Sequence, residues 1–140
     1  MNSKFTPIVK VRKQQRDMVE NRLAKARFER HELEQKISST CREIDETVTP
    51  TSGNIAMMNM VRERLAIIRK EKDELQGRLA IKEQEIEQLR DKYKRVNTEF
   101  EKIKYLEEQD FQEWMKKIKK TESLDMDEIS NILFVNKEQK

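Results

Sequence analysis

The chain has 140 residues, of which 41% are charged and 35% hydrophobic, and its formal net charge is +3. With 6% aromatic residues, two glycines and two prolines, this composition favours long helices over a layered globular domain. The sequence has no run of about 18 apolar residues and no signal-peptide stretch, which excludes a membrane span and predicts a cytosolic protein. The single Cys41 cannot form an internal disulfide.

The first element in chain order is a helix over about 7–47, because Thr6-Pro7 is typical of an N-cap followed by the first helical residue. Two apolar stripes compete within it. A heptad from Val9 has seven apolar residues of twelve: Val9, Arg12, Arg16, Val19, Leu23, Ala26, Arg30, Leu33, Ile37, Thr40, Ile44 and Thr47. An 11-residue repeat has nine of twelve: Ile8, Val11, Gln15, Val19, Arg22, Ala26, Arg30, Leu33, Ile37, Cys41, Ile44 and Val48. The sequence leaves this phase open.

Small polar residues over about 48–54, including Pro50 and Gly53, predict a turn. A parallel dimer with a continuous helix through Pro50 and Gly53 would lose about 3 and 1 kcal/mol per chain in helix propensity. The chain is therefore expected to fold back as a hairpin. This fold-back places residue i opposite about residue 101 − i, so that Ile8 faces the region of Tyr93 and about 25 residues of the second helix have no internal partner.

The second helix is predicted over about 55–120 by an apolar stripe that recurs every three then four residues and predicts a left-handed coiled coil. Its seam, broken only by two lysines, is Met58, Val61, Leu65, Ile68, Lys72, Leu75, Leu79, Lys82, Ile86, Leu89, Tyr93, Val96, Phe100 and Ile103. Beyond Ile103, a four-residue stutter is expected to move the seam onto Phe111, Trp114 and Ile118.

A short last helix is predicted over about 126–134, because Asp125 and Glu128 match a capping pair and Leu124 and Ile129 are spaced as a hydrophobic staple. The predicted fold class is thus all-α. The chain is expected to form a long antiparallel two-helix coiled-coil hairpin with a short C-terminal helix, as a single unit over residues 1–140.

No catalytic, metal or cofactor site is expected, so the chain is not predicted to be an enzyme. His31-Glu32 begins like a zinc-protease motif, but Gln35 replaces the second histidine, which favours a surface role for His31. Cys41 lacks a second metal ligand and falls on an apolar stripe. Two glycines cannot build a phosphate-binding loop.

Two surfaces of the predicted coil could bind partners. Residues 1–30 hold nine basic and three acidic residues, and an acidic protein or a nucleic acid could recognise this charge. No recognised module supports specific nucleic-acid binding. The second surface, called here the outward row, consists of apolar residues on the outside of the coil, where single hydrophobes are ordinary but a row suggests docking. Its members are Met57, Met60, Ile67 and Ile81.

The arrangement resembles a known family. The start Lys4-Phe5-Thr6-Pro7-Ile8, a basic first helix, a polar turn and a long second helix are similar to the flagellar export protein family FliJ. The most specific part is Lys104-Tyr105-Leu106-Glu107 followed by Leu124-Asp125-Met126-Asp127-Glu128-Ile129. The resemblance spans nearly the whole chain.

This resemblance implies a non-enzymatic stalk, similar to the γ subunit of rotary ATP synthases, at the cytoplasmic side of the inner-membrane export apparatus. Its implied partners are a hexameric export ATPase, the cytoplasmic domain of the export gate and export chaperones, with only indirect contact to the membrane. By position, the outward row would face the gate or a chaperone. The ATPase-facing residues, called here the open-end group, would be Phe5, Ile8, Arg12, Phe111, Trp114, Lys116 and Lys117.

Two alternatives stay open at this point. The first is a structural coiled-coil tether or scaffold, and the second is the stalk of a non-flagellar type III secretion system.

Overall fold

A computed structural model describes residues 3–47 and 53–138. Within these ranges the chain forms two long helices that pack against each other, α1 (Thr6–Glu46) and α2 (Ile55–Glu138), and no strand. The all-α prediction is confirmed, and both predicted helices are present. The predicted turn over 48–54 lies largely outside the described residues.

Local hydrogen bonds define where the helices begin and end. Asn54 caps α2, because its Oδ1 accepts a 2.8 Å hydrogen bond from the Met57 amide. At the start of α1, the Ser3 hydroxyl accepts from the Phe5 amide at 3.2 Å, and the Thr6 amide donates to the Ser3 carbonyl at 3.1 Å. The capping residue is therefore Ser3 and not the predicted Thr6, which is already helical.

Helix packing divides the chain into two compact units. The central unit comprises Asp17–Arg95, and the terminal unit combines residues 3–16 with 96–138. The sequence predicted a single coiled-coil unit, which stays a prediction.

The central unit has a small apolar core between α1 and α2. Leu23 and Ala26 of α1 pack with Ile86 of α2, and Leu89 covers this cluster. Lys82 also bridges the helices, because its ammonium donates to Glu29 at 2.5 Å and to Glu85 at 2.8 Å.

The predicted seam of α2 is confirmed along its whole length. All residues of this seam, from Met58 to Ile103, are buried or partly buried. The two lysines that interrupt the pattern are also partly buried, and the charge of Lys82 is paired with Glu29.

The phase of α1 is also settled. All members of the heptad beginning at Val9 are buried or partly buried, whereas Ile8, Val11 and Gln15 of the 11-residue alternative are exposed. Polar members of the heptad are accommodated individually. Thr40, for example, is buried and donates its hydroxyl to the Lys36 carbonyl at 2.8 Å, so that its polar group is satisfied inside its own helix.

The predicted fold-back register was wrong. It placed residue 72 opposite Glu29, but Lys82 occupies that place, and Glu43 pairs with Arg64 at 3.7 Å. Glu43 lies in the last turn of α1, whereas Arg64 lies more than two turns into α2. The first turns of α2 therefore extend past the end of α1, because matching of the two seams sets the register rather than symmetry about the turn.

The terminal unit shows the same displacement. Arg12 donates to Glu99 at 2.9 Å, the Arg16 guanidinium lies 4.3 Å from the centre of the Phe100 ring, and the Ser3 hydroxyl donates to Asp110 at 2.5 Å. The pairing of α2 thus continues to Asp110. It ends later than predicted. Glu107 and Asp110 are partly buried and Phe111 is exposed, so the predicted shift of the seam is wrong at Phe111. Trp114 and Ile118, the other two residues of that prediction, are partly buried, whereas Lys117 is exposed.

The predicted C-terminal helix is not a separate element. α2 continues through Asp125 to Glu138, since no glycine or proline lies between Gly77 and Lys140. The Thr121 hydroxyl donates to the Lys117 carbonyl at 2.9 Å within the continuous helix. Leu124 and Ile129 are both exposed, so the predicted staple does not bury them.

Replacement of Gly77 should stabilise the protein. A Cβ atom at this position would meet nothing within 4 Å, and glycine inside a helix costs roughly 0.5–1 kcal/mol relative to alanine. Gly77→Ala should therefore raise the free energy of unfolding, measured by urea denaturation, by about that amount. The matched control is Ala80→Gly on an exposed position of the same helix, which should lower it similarly. Destabilisation by Gly77→Ala would contradict the open environment.

The Glu29–Lys82 pair should make stability depend on acidity. The hydrogen bond from Lys82 lowers the pKa of Glu29 below its ordinary value of 4.5, and the hydrogen bond to Glu29 raises the pKa of Lys82 above 10.5. Because the pKa of Glu29 is lowered on folding, its contribution is present above pH 4.5 and is lost as the pH falls through the folded-state pKa. The contribution of Lys82 is lost only at pH above 10.5.

Urea midpoints measured between neutral pH and about pH 3 would test this linkage. Glu29→Gln should lower the midpoint at neutral pH and reduce its fall on acidification. The exposed Glu32, which forms no ion pair with the described residues, gives the control Glu32→Gln, for which the acid-dependent fall should be unchanged. Equal pH profiles for all three proteins would refute the linkage.

Candidate functional site

The open-end group lies entirely in the terminal unit. Phe5 and Ile8 flank the start of α1, and Arg12 follows one turn later. Phe5 is partly buried with the Lys4 ammonium 5.2 Å from its ring centre, whereas Ile8 is exposed. Arg12 is engaged by Glu99. The positive charge of Arg12 is therefore partly neutralised by Glu99.

Four members of the open-end group lie on α2 beyond its pairing with α1. Phe111 and Trp114 form an aromatic pair with ring centres 5.8 Å apart and planes inclined by 38°. Trp114 is partly buried and Phe111 is exposed. Lys116 and Lys117 are exposed and form no ion pair with any described residue. This segment therefore combines apolar area with cations that are available to a partner.

The structure brings only part of the open-end group together. The bond between Ser3 and Asp110 fixes the first described residue of the chain against the turn of α2 that precedes Phe111. No ring contact, hydrogen bond or ion pair joins Phe5, Ile8 or Arg12 to the Phe111–Trp114 pair among the described residues. The group is thus two adjoining patches instead of one cluster.

The outward row lies in the central unit and is exposed as predicted. Between 53% and 70% of the surface of each member is accessible to solvent. Met60 and Ile67 line a shallow groove of about 430 Å³. The Glu43–Arg64 ion pair, Glu63 and Glu71 also line this groove, so its wall is charged as well as apolar.

Sequence reasoning missed a second apolar groove in the terminal unit. Tyr105 and Leu106, which are both exposed, line a depression of about 570 Å³ together with Asn97, Thr98, Glu101 and Lys102. The available signal was the placement of Tyr105 and Leu106 directly after the seam residue Ile103, at positions that a two-helix coil leaves uncovered.

The described residues contain neither a candidate metal site nor a candidate membrane span. No group of His, Cys, Asp or Glu side chains within 3–47 and 53–138 could hold a metal ion. His31 is exposed, and Cys41 is a free, partly buried thiol. Neither helix, over its described residues, has a stretch apolar and long enough to span a bilayer.

Comparison with known proteins gave one positive finding. The family model described as "Flagellar FliJ protein" matches residues 1–139. No curated protein and no solved structure matched the chain.

Two neighbouring isoleucines provide a test of which face of α2 is free. Ile68 is 5% exposed and Ile67 is 69% exposed. Ile68→Ala should lower the free energy of unfolding by about 2–4 kcal/mol, because it opens a cavity in the seam. Ile67→Ala should change it by less than about 0.5 kcal/mol. The measurement is urea denaturation followed by circular dichroism, and similar losses from both variants would mean that the outward row is buried.

Proposed function

Because the chain belongs to the FliJ family, and is thus a component of the flagellar export apparatus, we propose that it is a non-enzymatic stalk that links a hexameric export ATPase to the export gate. In this proposal ATP hydrolysis belongs to the ATPase. The chain presents one surface to the ring and another to the gate, at the cytoplasmic side of the inner membrane.

The observation that carries this proposal is the unpaired part of α2. Ser3 lies at Asp110, yet α2 continues for 28 residues to Glu138. The Phe111–Trp114 pair and the free cations of Lys116 and Lys117 stand at the beginning of this part. A single helix that carries aromatic area and positive charge fits the narrow central opening of a ring whose lining is acidic, because desolvated aromatic residues are typical binding hot spots.

The outward row supplies the second proposed surface. Its exposed methionines and isoleucines suit a flexible apolar contact. The groove beside Met60 and Ile67 adds charged groups at the edge of this contact, among them the Glu43–Arg64 pair. We assign this surface to the cytoplasmic domain of the gate or to an export chaperone. The two proposed surfaces belong to different units of the chain, so each can be altered without touching the other.

Substitution of Trp114 tests the ATPase contact. Trp114→Ala should weaken association with the purified cognate ATPase ring by about 1–4 kcal/mol, as expected for a hot-spot residue. Reversing the charges of Lys116 and Lys117 should mainly slow association and reduce its salt dependence. Binding kinetics on an immobilised ring, with ATP turnover measured in parallel, report both effects.

Phe28 provides the matched control, since it is an exposed aromatic residue in the central unit. Phe28→Ala should leave binding and turnover unchanged. Because Trp114 is the only tryptophan, its fluorescence in the unaltered chain gives an independent titration. No spectral change and no binding with a correctly assembled ring would refute the proposed stalk contact.

A further inference from the structure

The part of α2 beyond its pairing with α1 carries an apolar stripe, of which Met115 and Ile118 are partly buried and the other members are exposed. From Lys119 to Lys137 every residue is exposed. Seven residues of this stripe lie on one side of a straight helix, over roughly 33 Å. They are spaced by four, three, four, four, three and four residues. Six of the seven are apolar: Phe111, Met115, Ile118, Met126, Ile129 and Leu133. The seventh, Glu122, lies at the midpoint.

This stripe is symmetric about its midpoint. Reversal of the chain direction about Glu122 superposes Phe111 on Leu133, Met115 on Ile129, and Ile118 on Met126. A second copy that runs antiparallel would therefore place an apolar residue opposite an apolar residue at every position except the centre. Such a self-complementary patch is what an isologous two-fold contact requires.

The charges on the same segment differ in sign on the two sides of the midpoint: basic residues precede Glu122 and acidic residues follow it. Residues 116–120 contain four lysines and no acid, and residues 122–128 contain four acids and no base. Antiparallel pairing about Glu122 sets the lysine block of each copy against the acidic block of the other. Parallel pairing would set like charges against each other, which is destabilising.

We propose that residues 111–133 form an antiparallel homodimer contact with the same segment of a second copy of this chain. In this register Lys117 lies between Asp125 and Glu128 of the second copy, on one flank of the stripe, and the contact occurs twice by symmetry. The two Glu122 carboxylates meet at the axis. They weaken the contact through mutual repulsion and keep the dimer reversible.

This inference goes beyond the proposed stalk function and does not depend on it, because it concerns the chain alone. The dimer would cover Phe111, so it would compete with any partner that binds the same face.

Sedimentation equilibrium of the full chain tests the dimer. A reversible equilibrium between 16.9 kDa and twice that mass is expected in the micromolar range. Glu122→Leu should lower the dimer dissociation constant by about tenfold or more, because it replaces a charge repulsion with apolar contact. A single-chain mass at all concentrations for both proteins would overturn the proposal and leave the stripe to a different protein.

Charge exchange tests the register. Lys117→Glu alone and Asp125→Lys/Glu128→Lys alone should each raise the dissociation constant by about tenfold, and an equimolar mixture of the two variants should restore dimerisation. Helicity measured by circular dichroism serves as the control for folding. Failure of the mixture to associate, with helicity intact, would refute the proposed pairing.

Cysteine cross-linking tests the direction. In a Cys41→Ala background, a mixture of Met115→Cys and Ile129→Cys chains should form a disulfide-linked heterodimer readily, and Met115→Cys alone should not. Preferential cross-linking of Met115→Cys to itself would indicate parallel pairing and overturn the proposal.

Discussion

Burial of the α2 seam against α1 is the constraint on which the rest of the structure depends. A helix with the composition of α2 is only marginally stable in water by itself, because an amphipathic helix gains most of its stability from packing of its apolar face. The seam of α2 is buried or partly buried from Met58 to Ile103, and so is the heptad of α1 that begins at Val9. Residues outside this seam, including the outward row and the end of α2, stay exposed and are available to contact other molecules.

Polar residues within the seams determine how the helices are aligned. Arg12, Arg16 and Lys82 occupy positions where an apolar residue would pack, and each reaches an acid or an aromatic ring on the other helix. These contacts contribute little individually because they are partly exposed to solvent. Their arrangement nevertheless penalises a shifted register, since a displaced lysine or arginine would lose its partner.

Periodicity predicted the helices, the α2 seam and the exposure of the outward row, because a seven-residue repeat fixes which face is apolar. It could not predict the register, since Glu29 meets Lys82 through the fit of two seams, which no single helix contains. Counting apolar residues left the phase of α1 open, because Arg12 and Arg16 can occupy a seam by extending their stems. A capping pattern at Asp125 suggested a new helix, but a capping residue does not end the preceding helix unless a glycine or proline interrupts it.

The binding roles of the open-end group rest on family membership and position, because the sequence of this chain carries no information about the surface of a partner.

The run of exposed residues from Lys119 to Lys137 has an energetic consequence. With no tertiary cover, its helical population is set by the local balance between hydrogen bonding and chain entropy, without the packing that supplies most helical stability in proteins. A ligand that requires the helical form then binds with an apparent affinity scaled by that population. Residues that never touch the ligand, such as Ser123 and Ser130, would thereby tune recognition through helix propensity alone, and cooling would strengthen it.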